Sequence, residues 1–444
     1  MFDVLGWGLG VVVSASLAIA DAGFQAQRPS QPSNPSHAAA SQLLTAPDVA
    51  AALARVKEIE PWIIDQQIDL CQIEAPPFKE QKRAEAYKAV FETLGLRNVR
   101  IDKVGNVLGE RPGTVRARPD AGAADAPHLV FSAHLDTVFP EGTDVKVTRQ
   151  GPGGAVLKGP GIGDDCRGLA VVLGVIRAMN EAGVHTPGPI TFVGTVGEEG
   201  LGDLRGVKHL FDTELKGRID RFVSVDGAGY GITHVAVGSK RYRVTFKGPG
   251  GHSYGAFGNA NPIHALGRAM AAISEFTVPA SPKTTFNVGR IGGGTSVNSI
   301  PFEAWAEMDM RSVNPDALAE LDGRFQKAVQ AALAAENARW SGRGAITVDV
   351  VLVGDRPAGR MPDDEPVVRA AGDVTRALGL PVSFDEGSTD ANVAINLRVP
   401  GITIDGGGRG TGAHSLDETF DTTDSWKGTQ RALLVAIALA GREK

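Results

Sequence analysis

The chain has 444 residues and a formal net charge of −6. This acidic balance argues against nucleic acid or an anionic membrane as the main partner, because either favours a basic protein face. Hydrophobic residues make up 42% of the chain, as in a soluble globular protein, and its two cysteines exclude a disulfide framework or a cysteine-rich zinc site.

The N-terminus carries an apolar run from Val4 to Ala20, followed by a stretch rich in Gln, Ser, Pro and Ala. The run resembles a secretory signal, although the first residues carry no basic side chain, and the polar stretch is typical of a flexible linker. We therefore predict a signal peptide over residues 1–22, a linker over 23–47, and a secreted or periplasmic protein. A cytoplasmic protein is the alternative.

After the linker, helical periodicity covers 48–72, as one helix or two, and 79–94. Apolar runs then match strands buried on both faces. These runs cover residues 128–133, 189–196, 221–225 and 401–404, and a helical pattern over 168–182 separates the first two. The alternation predicts an α/β fold with a mixed, mostly parallel sheet flanked by helices.

The region from Lys240 to Leu352 has a different rhythm. Its order of strand, helix, two strands, helix and strand predicts a small α+β sandwich inserted into the larger domain. The predicted organisation is therefore a main domain over residues 48–239 and 356–444, interrupted by an inserted smaller domain over 240–355.

Side chains that can bind metals follow each predicted buried strand. The clusters are His134 with Asp136, Asp164 with Asp165, Glu198 with Glu199, Asp226 alone, and His414. Each has a structural alternative: an Asp before a helix is commonly an N-cap, and a Glu pair in a glycine-flanked loop is commonly solvated. Their convergence at the carboxyl ends of one sheet, where open α/β sheets bind ligands, favours a functional site.

Two divalent cations would offset the charge of these carboxylates. With His134, Asp165, Glu199, Asp226 and His414 as ligands, three carboxylates offset three of the four positive charges of two Zn²⁺ ions. The carboxylate of Glu198 offsets the fourth. Zinc favours this mix of nitrogen and oxygen donors, and Co²⁺ or Mn²⁺ can compete according to availability. One carboxylate must bridge the two ions.

These motifs resemble those of the co-catalytic zinc exopeptidases and amidohydrolases. That group includes tripeptide aminopeptidase, carboxypeptidase G, carnosinase, the aminoacylases, acetylornithine deacetylase and succinyl-diaminopimelate desuccinylase. The resemblance covers roughly residues 48–444 and rests on His134-Leu135-Asp136, Gly163-x-Asp165-x-Arg167-Gly168, Glu198-Glu199 and Gly412-Ala413-His414-Ser415. It implies a zinc-peptidase fold.

The resemblance also implies a role for each residue. Asp165 would bridge the ions, with Asp164 as the rival because spacing alone does not separate the two. His134 and Asp226 would bind the first metal, and Glu199 and His414 the second. Asp136 would orient His134, and Glu198 would act as the general base.

The resemblance extends into the inserted domain over 240–355, and it implies that this domain is a lid on a catalytic domain formed by residues 48–239 and 356–444. Gly250-Gly251-His252-Ser253 is similar to a lid motif whose histidine, here His252, reaches over the scissile carbonyl, often in the neighbouring subunit. Asn298 and Arg311 match positions that hold polar groups of the substrate. These similarities imply a homodimer formed through the lid.

The predicted function is amide hydrolysis in small peptides, in which a metal-activated hydroxide attacks and Glu198 moves the proton. The segment Ile73 to Phe78 and the context Glu198-Glu199-Gly200 resemble the aminopeptidase branch of this group more than the deacylase branch. The resemblance therefore implies an aminopeptidase acting on di- and tripeptides, and an N-acyl amino acid deacylase is the alternative. Two other interpretations stay open. Gly251-His252-Ser253-Tyr254-Gly255 matches the nucleophile elbow of serine esterases, with Asp390 and His414 later in the chain, and an inactive binding module is also compatible with the fold.

Overall fold

Helices and strands alternate through the residues that the computed structural model describes, which are 35–115 and 127–441. The helices are α1 Pro35–Leu44, α2 Pro47–Glu58, α3 Glu60–Cys71, α4 Gln81–Thr93, α5 Cys166–Glu181, α6 Arg205–His209, α7 Pro262–Ser274, α8 Pro315–Arg339, α9 Pro366–Ala377, α10 Ala391–Asn396 and α11 Trp426–Ala440. The strands are β1 Arg97–Ile101, β2 Val107–Arg111, β3 Leu129–His134, β4 Thr148–Gln150, β5 Val156–Lys158, β6 Ile190–Thr195, β7 Arg221–Val225, β8 Gly231–Ala236, β9 Gly238–Lys247, β10 Gly251–His252, β11 Thr284–Gly293, β12 Ser299–Ile300, β13 Glu303–Ser312, β14 Thr347–Arg356, β15 Gly359–Arg360, β16 Ser383–Gly387, β17 Gly401–Ile404, β18 Arg409–Thr411 and β19 Thr419–Asp421.

The main sheet has the strand order β1-β2-β6-β3-β7-β17-β8-β15, and β16 also pairs with β8. Strands β6, β3, β7 and β17 run parallel, while β1, β2 and β15 join antiparallel and β17 is antiparallel to β8. The predicted fold class, a mixed sheet flanked by helices, is confirmed. None of the helices in the described residues has the length and apolar character needed to span a membrane.

The centre of the main sheet is buried on both faces, as the continuous apolar runs predicted. Every residue of β3, β6 and β17 is buried. Helices α5 and α11 pack against β3, and α9 and α10 pack against β17. Phe131 and Phe192, on neighbouring strands, meet edge to face with their ring centroids 6.1 Å apart. This core fixes the strand ends from which the site is built.

A second sheet, with the order β11-β13-β9-β14, is antiparallel throughout. Helices α7 and α8 pack against it, and alternate residues of β13 are buried in a separate hydrophobic core. The short pair β10 and β12 lies on the connections within this region. We call residues 238–356 the insert.

Two short connections join the insert to the main sheet, at Val237 and at Pro357. The side chain of Asn392 holds both together, since its Nδ2 donates to the carbonyl oxygens of Val237 and Pro357 at 3.0 Å each. The two connections therefore leave the main sheet side by side.

The N-terminal prediction needs one correction. Helix α1 lies inside residues 23–47, for which the composition predicted a flexible linker. The physical reason is that Leu43 and Leu44 at its C-terminal end pack against the main hydrophobic core. The predicted signal peptide over residues 1–22 lies outside the described residues, as do linker residues 23–34.

Candidate metal centre

The cluster of carboxylates and histidines lies at the carboxyl ends of three neighbouring parallel strands. His134 ends β3, Glu198 and Glu199 follow β6, and Asp226 follows β7. Because β6, β3 and β7 are adjacent and parallel, their carboxyl ends share one edge of the sheet. The loop before α5 adds Asp164 at the same edge.

Asp164 lies between the two histidines of the cluster. Its Oδ1 is 3.0 Å from Nε2 of His134, and its Oδ2 is 3.0 Å from Nε2 of His414. Nε2 of His134 is also 3.8 Å from Oδ1 of Asp226, and Nε2 of His414 is 3.0 Å from Oε1 of Glu199. One carboxylate thus connects two sets of donor atoms, and each set can hold a metal ion.

Asp165 does not lie at the bridging position between the two metal sites that was predicted for it. Its Oδ1 accepts hydrogen bonds from the amides of Gly168 and Gly227, and its Oδ2 accepts one from the amide of His134, so it caps the start of α5. Both oxygens are therefore bound to backbone amides. Its neighbour Asp164, the predicted rival, lies at the position expected for the bridge, and the peptide bond that joins the two aspartates is cis.

Asp136 also acts differently from the prediction. Nδ1 of His134 lies 3.0 Å from the backbone oxygen of Asp136 but 3.7 Å from its carboxylate. The carboxylate instead accepts hydrogen bonds from the amides of Glu198, at 3.0 Å, and Glu199, at 2.8 Å. Asp136 therefore orients the ring through its main chain and the glutamate pair through its side chain.

A buried arginine that the sequence analysis did not identify contacts Glu198. Nη1 of Arg356 donates to Oε1 of Glu198 at 3.1 Å and to Oγ of Ser388 at 3.1 Å, and Nη2 donates to the backbone oxygen of Glu198. Burial raises the pKa of Glu198 well above its ordinary value, although the positive charge of Arg356 opposes this shift.

The pKa values of His134 and His414 are those expected for a site that binds cations. Hydrogen bonds to Asp164 and Glu199 raise the pKa of His414 to about 10. Burial disfavours a charge on His134, but Asp165 and the other neighbouring carboxylates outweigh it and raise the pKa of His134 well above its ordinary value. Without cations, the protons on both rings therefore compensate the carboxylates, and divalent ions bound by the same nitrogens would replace them. Imidazole and carboxylate donors of this kind suit zinc.

The other predicted residues lie on the insert. Nδ1 of His252 accepts hydrogen bonds from the amides of Tyr254 and Gly255, and Nε of Arg311 donates to Asp309. Asn298 accepts a hydrogen bond from Ser296 on its side chain and one from the amide of Ser253 on its backbone oxygen. Within the described ranges, these contacts do not bring His252, Asn298 or Arg311 to the metal-ligand cluster.

The geometry does not assemble the alternative serine site. A turn, rather than a helix, follows Ser253. Asp390 is buried and accepts a hydrogen bond from Oγ1 of Thr195 at 2.5 Å, and His414 contacts Asp164 and Glu199. The three residues of this alternative triad therefore have separate partners.

Carboxylates and histidines gathered at the carboxyl ends of parallel strands in a mixed α/β sheet fit a metallopeptidase. The chain belongs to peptidase family M20/M25/M40, whose sequence model matches residues 130–438. It is therefore a hydrolase of peptide or amide bonds.

Two curated relatives cover much of the chain. The chain is 26% identical to the uncharacterized protein YqjE of Bacillus subtilis over 352 residues, which are 78% of this chain and 90% of that protein. It is 27% identical to the cytosol non-specific dipeptidase of Escherichia coli over 310 residues, which are 64% of this chain and 60% of the dipeptidase.

Solved structures share the fold. A tripeptidase from Staphylococcus aureus superposes with a TM-score of 0.67 at 22% identity, covering 85% of this chain and 98% of that one. The Bacillus subtilis YxeP protein, described as a dinuclear metal binding peptidase, superposes with a TM-score of 0.60 at 16% identity, covering 87% of this chain and all of that one.

Proposed function

We propose that this chain is a di-metal peptidase that cleaves an amide bond in small peptides, as an aminopeptidase acting on di- and tripeptides. The observation that carries the proposal is the Asp164 carboxylate, whose two oxygens each lie 3.0 Å from the Nε2 of a different histidine. The similarity to a dipeptidase supports a peptide substrate. The cations are two Zn²⁺ ions, with Co²⁺ or Mn²⁺ as substitutes.

Two sets of side chains would hold the cations. His134, Asp226 and one oxygen of Asp164 form the first set, and the other oxygen of Asp164, with Glu199 and His414, forms the second. When bound, the cations supply Lewis acidity that polarises the scissile carbonyl and lowers the pKa of water. Histidine and carboxylate ligands leave positions open for water and substrate.

The chain's own proton carrier is Glu198. Its carboxylate takes a proton from the attacking water and delivers it to the leaving amine, so the same group serves as base and then as acid. Asp136 supports this role because it holds the amides of Glu198 and Glu199. Burial excludes bulk water from the carboxylate, whose residue is only 5% exposed.

The insert contributes the substrate contacts in this proposal. Closure of the insert over the cleft brings His252 to the oxyanion of the tetrahedral intermediate and brings Arg311 and Asn298 to polar groups of the substrate. A guanidinium such as that of Arg311 suits a peptide carboxylate because it can donate two parallel hydrogen bonds. We also propose that the insert forms a homodimer and that the apolar run from Val4 to Ala20 directs export.

The central experiment is metal analysis combined with hydrolysis of di- and tripeptides and N-acyl amino acids, before and after chelation. We expect about two zinc ions per chain, cleavage of the peptides, and loss of activity that returns on adding zinc. Glu198→Gln should keep both ions and lose at least about 100-fold in kcat, while Ser253→Ala should remain active. Cleavage confined to N-acyl amino acids would identify a deacylase instead, and full activity without metal would refute the proposal.

Two simpler measurements test the dimer and the export. Sedimentation velocity should give twice the mass of one chain, and a monomer at all concentrations would refute the homodimer. Fractionation with N-terminal sequencing should find the chain outside the cytoplasm, cleaved near residue 22. An uncleaved cytoplasmic chain would refute export.

A further inference from the structure

Arg356 lies at the junction between the insert and the main sheet. It is the last residue of β14, opposite Ser239 at the start of β9, and the next residue, Pro357, begins the return connection to the main sheet. Asn392 fixes that connection through the carbonyl oxygen of Pro357. The position of Arg356 is therefore tied to both parts of the fold.

The guanidinium of Arg356 holds a single residue at two points. It donates to the carboxylate of Glu198 through Nη1 and to the backbone oxygen of Glu198 through Nη2, while Nη1 also reaches Ser388. A planar guanidinium that contacts both the main chain and the side chain of one residue restricts the rotation of that side chain. Arg356 is only 4% exposed, so water does not compete freely for these bonds.

Asp136 holds the backbone amide of Glu198. The carboxylate of Asp136 accepts the amide hydrogens of Glu198 and Glu199, and one oxygen of Glu198 lies within 4.8 Å of ligand atoms of His134 and Glu199. The glutamate thus extends into the metal-ligand cluster with its backbone fixed by Asp136 and its carboxylate fixed by Arg356.

Further contacts from the insert hold the loop that follows Glu198. Nη1 of Arg241, on β9, donates to the carbonyl oxygen of Gly200 at 2.8 Å, and the amide of Asp355, on β14, donates to Asp203 at 2.7 Å. The ends of two strands of the insert therefore form a support for residues 198–203. Arg356 is the member of this support that reaches the carboxylate.

Stability alone is a weak reason for a buried ion pair at this position. Burial removes hydration from both charges, and apolar residues of similar volume often stabilise a protein as well or better. Arg167, another buried arginine, shows the structural pattern, since its hydrogen bonds go to carbonyl oxygens of Gly406 and Ser425 and to a hydroxyl. Its charged partner is Glu60, 3.7 Å away, which is not part of the metal-ligand cluster. Arg356 instead contacts the residue assigned to proton transfer.

We propose that Arg356 is a positioning residue that fixes the carboxylate of Glu198 for proton transfer from the junction of the insert. This inference rests on the proposed function, in which Glu198 carries the proton. Arg356 itself need not touch the substrate. Its effect should therefore appear in kcat and should depend on the presence of the Glu198 carboxylate.

The test compares four variants of the zinc-loaded full chain: Arg356→Met, Arg356→Lys, Glu198→Gln and the double variant Arg356→Met with Glu198→Gln. Arg360→Met is the matched control, because Arg360 lies four residues further on, is exposed, and pairs with the surface residue Asp363. Steady-state kinetics on a dipeptide, zinc content, and hydrogen exchange of the amides in residues 198–203 are measured for each.

We expect Arg356→Met to lower kcat by about 100-fold with KM changed by less than about threefold, in line with the loss of an oriented proton carrier. Arg356→Lys should recover about tenfold of that loss, because an ammonium can still reach one acceptor. The double variant should be no slower than Glu198→Gln alone, since the arginine acts through the glutamate. Zinc content should stay the same, and amide exchange should quicken only in the Met variants at position 356.

Several results would overturn the inference. A raised KM with unchanged kcat in Arg356→Met would assign the arginine to substrate binding, and multiplicative losses in the double variant would show that it acts independently of Glu198. Loss of zinc or of the folded state in both the Met and Lys variants would leave only a structural role. If Glu198→Gln alone kept full activity, the proposed function itself would fail, which is a separate outcome.

Discussion

Replacing Glu418 with alanine removes the support of the loop that carries Asp164. Glu418 is 2% exposed, and its carboxylate accepts three backbone hydrogen bonds, from the amides of Gly163 at 2.7 Å, Asp164 at 2.9 Å and Gly161 at 2.9 Å. Without it, three amide groups in the interior lose their acceptor, and Asp164 loses the anchor of its own backbone.

The size of the effect follows from these contacts. A hydrogen bond to a charged group contributes about 1.5–3 kcal/mol, so three give an upper bound of about 5–9 kcal/mol. Burial raises the pKa of Glu418, which means that the ionised group carries a desolvation cost that offsets part of this sum. The loop can also relax towards water. We therefore expect a loss of about 2–4 kcal/mol in the free energy of unfolding and, since Asp164 is displaced, a 10- to 100-fold weaker zinc affinity.

Urea unfolding of the metal-free chain and a zinc competition titration measure the two effects. Glu418→Gln should fall between the wild type and Glu418→Ala, because one oxygen remains to accept the amides of Gly163 and Asp164. The neighbouring Asp417→Asn is the matched control, since Asp417 is exposed and pairs only with Lys158 among the described contacts of its side chain, and it should leave both quantities unchanged. Unchanged stability and zinc affinity in Glu418→Ala would refute the reasoning.

Three further predictions concern the cluster and the core. Asp164→Asn should reduce the zinc content by at least one ion per chain, whereas Asp165→Asn should keep both ions, because an amide oxygen still caps α5; equal losses measured by atomic absorption would contradict the bridging assignment. The pKa values of His134 and His414 are raised by their carboxylate neighbours, so zinc must displace their protons, and zinc affinity should rise about tenfold per pH unit for each proton between pH 6.5 and 8.5 in a chelator competition assay. A flat profile would show that the rings are already neutral. Phe192→Ala should destabilise the chain by about 3–5 kcal/mol in urea, because the ring is fully buried against Phe131, and a change below about 1 kcal/mol would mean that the core repacks.

The main features of the fold follow from patterns in the sequence that operate over short distances. Continuous apolar runs of four to eight residues predicted β3, β6, β7 and β17, because a strand that is covered on both faces carries apolar side chains on both. The same runs pointed to His134, which ends β3, and to Glu199 and Asp226, which follow β6 and β7, whereas His414 lies beyond β18. Sheet order then brings His134, Glu199 and Asp226 to one edge, and His414 joins them through its contacts with Asp164 and Glu199.

The errors occur where tertiary contacts decide between neighbours. Asp164 and Asp165 are adjacent and chemically identical, and only the backbone amides of His134 and Gly227 show that Asp165 faces inward. Arg356 looks like a solvated arginine at the end of a strand, because the sequence does not reveal that β14 ends against the glutamate pair. The exchange of Asp165 for Asp164, the different contacts of Asp136 and the missed Arg356 leave the chemistry that the cluster can perform unchanged.

The order in which the main sheet is completed has a consequence for synthesis of the chain. Strand β17, which comes from residues 401–404, lies between β7 and β8, two strands made about 170 residues earlier. Until β17 leaves the ribosome, β7 and β8 each present an unpaired edge, and such edges are prone to aggregate. A chain that is cut short before β17 would therefore lack a central strand as well as His414. Such incomplete chains should be both insoluble and inactive. Productive folding of the main sheet should begin only when the last residues leave the ribosome.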